Sequence, residues 1–373
     1  MSRILPLAVI LILSGSALTR AADESWVGQT VMARRPDVKY IGYTSDGMER
    51  EVKMSEPMTR VLGEEDGWLR IYSPGTEAKA LKADMVRLRD APDYYTEYLR
   101  DHGESAWAWD RRGIARRLRG EFDLSIKDFS EAIRLEPTAA YLNHRGSIWF
   151  AKKEFDKAIG DYNEAIRLDA NCASAFSNRG VAWWYKREPE KAMRDFDAAI
   201  RLDPKDVNAL SNRGFALYLK KEYEKAIGDF DEAIQIDPKY AYAIGNRACA
   251  LTKLKKYSEG VQNFETAIQL NPVDWLYRDY AHLLAICPDS KYRNGTKALE
   301  LAKKALELRR GDANDWQYQA ALAAAYAETG EFEQAEAAQR KALVDNSLDA
   351  EDRAKMKKRL ELYRQKKPYR DED

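Results

Sequence analysis

Three asparagines, Asn178, Asn212 and Asn246, recur at steps of 34 residues. A side-chain amide both donates and accepts hydrogen bonds, so a row of amides suits the N–H and C=O groups of an extended peptide backbone. His144 and Arg111 hold the corresponding place earlier in the series. Arg145, Arg179, Arg213 and Arg247 each follow this row by one residue. Their guanidinium forks suit carboxylates, either of the chain itself, as links between hairpins through Asp161, Asp195 and Asp229, or of a ligand. Aromatic residues cluster nearby: Trp149, Phe150, Trp183, Trp184, Tyr185, Phe215 and Tyr218. Trp149 and Trp183 suit packing, whereas Phe150, Trp184 and Tyr218, one residue further on, are candidate anchors for a partner. The asparagines also suit a structural role, capping loops or bonding within a stack. Their poor helix propensity signals a positional reason without naming it.

Other chemistries find no matching pattern. His102, His144 and His282 stand apart, without metal-ligand spacing, and no HExxH, G-x-S-x-G or phosphate-loop pattern occurs. Cys172, Cys249 and Cys287 form neither a Cys-x-x-Cys pair nor a disulfide framework, and read as small buried helix residues. No enzyme activity, cofactor or metal is expected. The 61 Lys and Arg balance 61 Asp and Glu, which argues against a nucleic-acid partner, since backbone binding needs a basic face. Aromatic residues at 11%, with only 20 Gly and 12 Pro, exclude a disordered chain.

The elements that must position these residues follow from a repeat. Arg112-Gly113, Arg145-Gly146, Arg179-Gly180, Arg213-Gly214 and Arg247-Ala248 recur at steps of 33 and then 34 residues, a period of stacked helical hairpins. Small residues follow at Ser125, Ala158, Ala192, Ala226 and Gly260, aromatics at Phe129, Tyr162, Phe196, Phe230 and Phe264, and alanines at Ala132, Ala165, Ala199, Ala233 and Ala267. Small residues let two helices approach closely and the aromatic fills the space between hairpins. Pro137, Pro204, Pro238 and Pro272 end the second helix of a hairpin, and Asp169-Ala170-Asn171 makes the same turn with other residues.

On these positions the chain resembles the tetratricopeptide repeat family over residues 106–348, about seven units, with a capping helix and polar tail at 349–373. Residues from Ile286 to Gly295 lengthen one turn. The resemblance implies a mainly α fold, a right-handed α-solenoid whose concave groove is lined by the first helix of each hairpin. It also implies a partner that is a protein or an extended peptide, held by Asn178, Asn212, Asn246, His144, Phe150, Trp184 and Tyr218.

Ahead of the solenoid, residues 1–21 read as a secretory signal peptide: Arg3, an apolar run from Ile4 to Leu13, then small residues, with cleavage after Ala21 or, second, Ala17. The run is too short to span a bilayer, which takes about 20 apolar residues, and none past residue 22 is longer. The mature chain is therefore expected in the periplasm or outside the cell. Residues 23–90 carry short strand patterns separated by Gly- and Pro-containing turns, among them Trp68-Leu69-Arg70-Ile71-Tyr72, and suggest a small β-barrel with Trp68 in its core. The order of strands and the Gly67-Trp68-Leu69 segment resemble a bacterial SH3-like domain, which implies contact with cell-wall peptides or proteins. Residues 91–105 read as a linker helix. The expected function is a non-enzymatic scaffold that binds an extended segment in the groove. The alternative is a structural envelope protein whose SH3-like domain grips cell-wall material, with the solenoid as spacer.

Overall fold

The computed structural model describes residues 29–43, 49–52, 58–65, 68–73, 76–309 and 315–371. The signal peptide expected at 1–21 lies outside them, as do parts of the strands and turns expected over 23–90, at Trp26-Val27-Gly28, Ser45-Asp46-Gly47, Asp66-Gly67 and Pro74-Gly75. Two compact units divide the chain between Asp195 and Phe196.

The first unit begins with seven antiparallel strands: β1 (Thr30–Ala33), β2 (Tyr40–Tyr43), β3 (Glu49–Val52), β4 (Met58–Glu65), β5 (Trp68–Ser73), β6 (Thr76–Leu81) and β7 (Met85–Arg87). They lie in the order β3-β2-β6-β5-β4-β1-β7, with a bulge between Val61 and Gly63 of β4. Side chains alternate across a strand, so β1 and β7 bury both faces. Val31 and Met85 join Val61, Leu69, Ile71 and Ala78 in the sheet's own core. Met32 and Val86, one residue on, pack with Ala91, Tyr95 and Ile114 of the following helices. That helical cover lies on the β7 edge, and β3 and β7 do not pair with each other among the described residues. The expected closed barrel is therefore an open sheet. Trp68, expected in the core, lies half-buried on the opposite face, with Lys79 Nζ 5.2 Å from its ring centroid. The two-residue period assigns the core side of β5 to Leu69 and Ile71, and leaves Trp68, Arg70 and Tyr72 outside.

Helix α1 (Ala91–Asp101) ties the sheet to the helices: the Tyr95 hydroxyl donates to Ala33 O, and that of Tyr94 to Arg34 O at 3.2 Å. Hairpins follow as α2 (Ala106–Leu118) with α3 (Phe122–Leu135), α4 (Ala139–Ala151) with α5 (Phe155–Leu168), and α6 (Ala173–Tyr185) with the start of α7 (Pro189–Leu202). Glycine at position 146 is a packing requirement, because a Cβ there would lie 2.6 Å from Cε1 of the buried Tyr162 ring. Ser105 and Thr138 cap α2 and α4 by accepting from the amides of Ala108 and Tyr141. The turn inside a hairpin is a left-handed cap. Lys153, at φ 62°, donates to Phe150 O, and Glu154 donates to Trp149 O. The turn without proline, Asp169-Ala170-Asn171, is closed by Asn171 N donating to Asp169 Oδ1 at 2.9 Å.

In the second unit the hairpins are α8 (Val207–Leu219) with α9 (Tyr223–Ile236), α10 (Ala241–Lys253) with α11 (Tyr257–Leu270), α12 (Asp274–Ile286) with α13 (Gly295–Leu308), and α14 (Trp316–Glu328) with α15 (Phe332–Val344). The longer α12–α13 turn holds one 3-10 turn, Ser290–Tyr292, and is braced by Arg293 Nη1 donating to Cys287 O and Pro288 O. α16 (Ala350–Arg364) packs on α15 and buries Met356, Leu360 and Tyr363 against the last hairpin. No described helix is long and apolar enough to cross a membrane.

Candidate functional site

In the first unit α2 packs beside α4 and α4 beside α6. In the second, α8, α10, α12 and α14 pack one beside the next. The first helices of successive hairpins thus share one face in each unit, and the residues singled out above lie on or near it.

The arginine row is consumed by the fold. In the first unit Arg145 donates to both oxygens of Asp161 at 2.8 and 2.6 Å, and Arg179 to both of Asp195 at 2.8 and 2.7 Å. In the second, Arg213 does so to Asp229 at 2.8 and 2.7 Å. Expected to link hairpins, these pairs instead join the two helices of one hairpin. The link to the preceding hairpin is made by Nη1: to Ser130 from Arg145 at 3.0 Å, to Asn163 from Arg179 at 2.7 Å, and to Asp197 from Arg213 at 2.9 Å. All three nitrogens of each guanidinium are committed. The bonds to Asp161 hold Arg145 above the usual guanidinium range, against the effect of burial. Thr96 of α1 accepts from Arg112 Nη1 at 3.0 Å, so the expected linker helix stands where the second helix of a preceding hairpin would.

On the first unit's face, Asn178 Nδ2 donates to Asn143 Oδ1 at 3.0 Å, and Asn143 Nδ2 to Ser174 Oγ at 3.3 Å, so the amide of Asn178 braces α6 against α4. His144 Nδ1 lies 2.7 Å from Oδ1 of the buried Asp110 on α2, whose other oxygen pairs with Arg111 at 3.2 Å. Phe150 packs at the hairpin turn, its ring centroid 5.4 Å from Phe155 and 5.2 Å from Tyr185. Trp184 is half-buried. Trp149 and Trp183 pack around Tyr162 and Ala182 and carry Lys157 and Lys191 over their rings at 4.6 and 4.4 Å.

On the second unit's face the asparagines differ. Asn212 of α8 is 6% exposed, and its side chain makes no hydrogen bond among the described residues. Asn246, on the adjacent α10, is half-buried and likewise unbonded among them. Neither amide is fully buried, so each keeps contact with solvent in place of a protein partner. Tyr218 packs on Phe215 and on Tyr223 at the hairpin turn, with centroids 6.3 and 5.6 Å apart. The sequence reading missed Asp110, Asn143 and Ser174. Asp110 and Asn143 lie three residues before the glycine markers, one residue from the row chosen, and that offset was the available signal. Among the described residues no group of three or more His, Cys, Asp or Glu side chains could hold a metal ion.

Known proteins agree with the hairpin pattern. Residues 146–184 match a TPR repeat model, and residues 207–240 and 241–274 each match a tetratricopeptide repeat model. No curated protein matches the chain. Among solved structures, the APC/C hetero-tetramer Cut9-Hcn1 is 18% identical with a TM-score of 0.56, over 63% of this chain and 46% of that one. A tetratricopeptide repeat protein from Parabacteroides merdae is 20% identical with a TM-score of 0.51, over 70% of this chain and 99% of that one. At such identities the likeness is one of fold. The three matched segments, set among hairpins of the same form, show that the chain carries tetratricopeptide repeats.

Proposed function

We propose that the chain is a non-catalytic protein-interaction scaffold that holds an extended segment of a partner along the face of its first helices. The observation that carries this reading is Asn212, nearly buried yet unbonded, with Asn246 one helix on. Amides at such positions take the N–H and C=O of a backbone and leave selectivity to neighbouring side chains. Asn178 and His144 lie on the first unit's own first-helix face, through groups already bonded to Asn143 and Asp110, so their part is to shape that face. Phe150 and Trp184 add apolar surface to the first unit's face, and Tyr218 to the second unit's. The proposal includes export through residues 1–21 and residence in the periplasm or outside the cell. A random peptide display library selected on the mature chain, followed by calorimetry on enriched peptides, tests the reading. Asn212→Ala with Asn246→Ala should weaken binding at least about tenfold, the loss of one to two hydrogen bonds. Unchanged affinity would overturn it.

A second reading keeps the SH3-like assignment for the sheet and gives it the contact with cell-wall material. It is favoured by the outward face of β5 and β6, where Tyr72 and Leu81 are 56% and 41% exposed beside Trp68, Arg70 and Lys79. Two contacts on one chain raise the effective concentration of each for its ligand. Co-sedimentation of the mature chain with purified cell wall, lost on Trp68→Ala with Tyr72→Ala, supports this contact. Retention by that variant at the wild-type level contradicts it.

A further inference from the structure

The segment that follows α16 turns back across the second unit. The chain leaves the helix through a left-handed cap at Lys366, φ 55°, where Lys366 N donates to Tyr363 O and Lys367 N to Leu362 O, and Pro368 prevents continuation. Residues 369–371 then run along the ends of first helices. Tyr369 packs against the hydrophobic cores of the last hairpins, with the Arg359 guanidinium 4.2 Å above its ring. Arg370 Nη2 stands 2.6 Å from Glu328 Oε2 at the end of α14, as an ion pair rather than an aligned hydrogen bond, and its Nη1 donates to Ala285 O at 3.3 Å. Asp371 receives Lys253 Nζ, at the end of α10, at 3.0 Å, and its backbone N–H donates to Ile286 O at 3.1 Å.

The last of these contacts answers a gap in α12. In α8, α10 and α14 the final carbonyls are closed from within the hairpin, as when Lys221 N donates to Tyr218 O and Glu222 N to Leu217 O. α12 runs into its lengthened turn instead. Leu283 O and Leu284 O accept from Cys287 N and Asn294 N, whereas Ala285 O and Ile286 O accept from the returning segment. A helix end open to an outside donor, a cation at Lys253, an acid at Glu328 and a guanidinium at Arg359 recognise backbone, acid, base and ring in turn. We propose that the ends of α10, α12 and α14, with α16, form a peptide site occupied in cis by Tyr369-Arg370-Asp371, whose external ligand is an extended protein segment with an aromatic residue two positions before an acid. The inference rests on the reading of the chain as a binder of extended segments, and adds a second seat at the helix ends, apart from Asn212 and Asn246.

The test uses the mature chain, the same chain ending at Lys367, and a fluorescein-labelled peptide of residues 366–373, followed by fluorescence anisotropy. A tethered segment has an effective concentration on the order of millimolar, so a peptide with a Kd of about 10–100 µM for the shortened chain should bind the mature chain about 10–100-fold more weakly. In the shortened chain Lys253→Glu should abolish binding of this peptide, and a peptide with Asp371→Lys should restore it. If shortening costs helix content by circular dichroism, the mature chain with Tyr369→Ala and Asp371→Ala takes its place. Asn212→Ala with Asn246→Ala leaves this binding unchanged, so failure of the asparagine reading and failure of this one are separately visible. Absence of saturable binding to a fully helical shortened chain, or equal affinity of both chains, overturns the proposal.

Discussion

The same substitution, glycine to alanine, should have opposite signs at two positions of one hairpin, Gly146 in α4 and Gly160 in α5. A Cβ on Gly146 would stand 2.6 Å from Cε1 and 2.9 Å from Cδ1 of Tyr162, whereas nothing lies within 4 Å of one on Gly160. Carbon atoms rest at about 3.5–4.0 Å, so the Tyr162 ring or α4 must retreat by about 1 Å. Tyr162 is 1% exposed and hemmed by Ala158, Ile159 and Ala182, which leaves it no free direction. Overpacking of this kind costs about 1–3 kcal/mol, against about 1 kcal/mol gained in helix propensity, and the short contact puts Gly146→Ala in the upper part of that range. The net expectation is a loss of about 1–2 kcal/mol, while Gly160→Ala keeps the whole gain of about 1 kcal/mol. Repeat arrays need not unfold in one step, so native-state hydrogen exchange of α4 and α5 amides is the suitable assay. Equal stabilisation by both changes would show that the hairpin yields freely and would refute the packing account of the glycine marker.

Three further outcomes are expected. Lys221, at φ 64°, occupies the left-handed turn position that Gly120 and Gly330 fill elsewhere, so Lys221→Gly should stabilise by about 0.5–1 kcal/mol and Lys221→Ala by nothing, as read from local exchange. Arg247 Nε meets Asn263 Oδ1 at 2.9 Å where its counterparts meet two aspartate oxygens, and Asn263→Asp should add about 0.5–1 kcal/mol, a gain that shrinks in high salt. Burial alone would raise the Asp371 carboxyl, but Lys253, His282 and Arg359 outweigh it and hold the group below the usual carboxylate range. A folded value below the unfolded one means the contact stabilises above the ordinary carboxylate range and is lost as pH falls through the lower folded value. The Asp371 amide should therefore keep its exchange protection, corrected for intrinsic rate, from neutral pH until that acidification. Protection that persists through it would contradict the ion pair.

The repeat could be read from residues because size complementarity recurs at fixed spacing: Gly146 admits Tyr162, and Ala158 and Ala165 let α5 lie close. The turn at Asp169-Ala170-Asn171 is legible too, since an aspartate closes it as one does at Asp203-Pro204 and Asp237-Pro238. Hydrogen-bond partners across hairpins were not. Whether Asn178 meets Asn143 or open space depends on which residue of the preceding helix stands opposite, and the 34-residue period is silent on that. The arginines illustrate the same limit, because the link to the preceding hairpin runs to Ser130, Asn163 or Asp197, and no common residue type announces it. On the sheet, the alternation of β5 is visible in the sequence but not which of its sides turns onto the sheet's own core, and Trp68, expected inward, stands outside. Residues 369–371 belong to no repeat, and their contacts arise only once α16 has turned the chain back over α12.

On the proposed function, the unbonded amides of Asn212 and Asn246 hold a partner's backbone. The decisive measurement is calorimetry of one display-selected peptide against the mature chain, the Asn212→Ala/Asn246→Ala chain and the Asn178→Ala chain. The expected result is a loss of at least about tenfold for the double substitution, with Asn178→Ala changing affinity less while loosening α6 against α4. Equal affinity of the wild-type and double-variant chains would contradict the claim and return the asparagine row to a purely structural role.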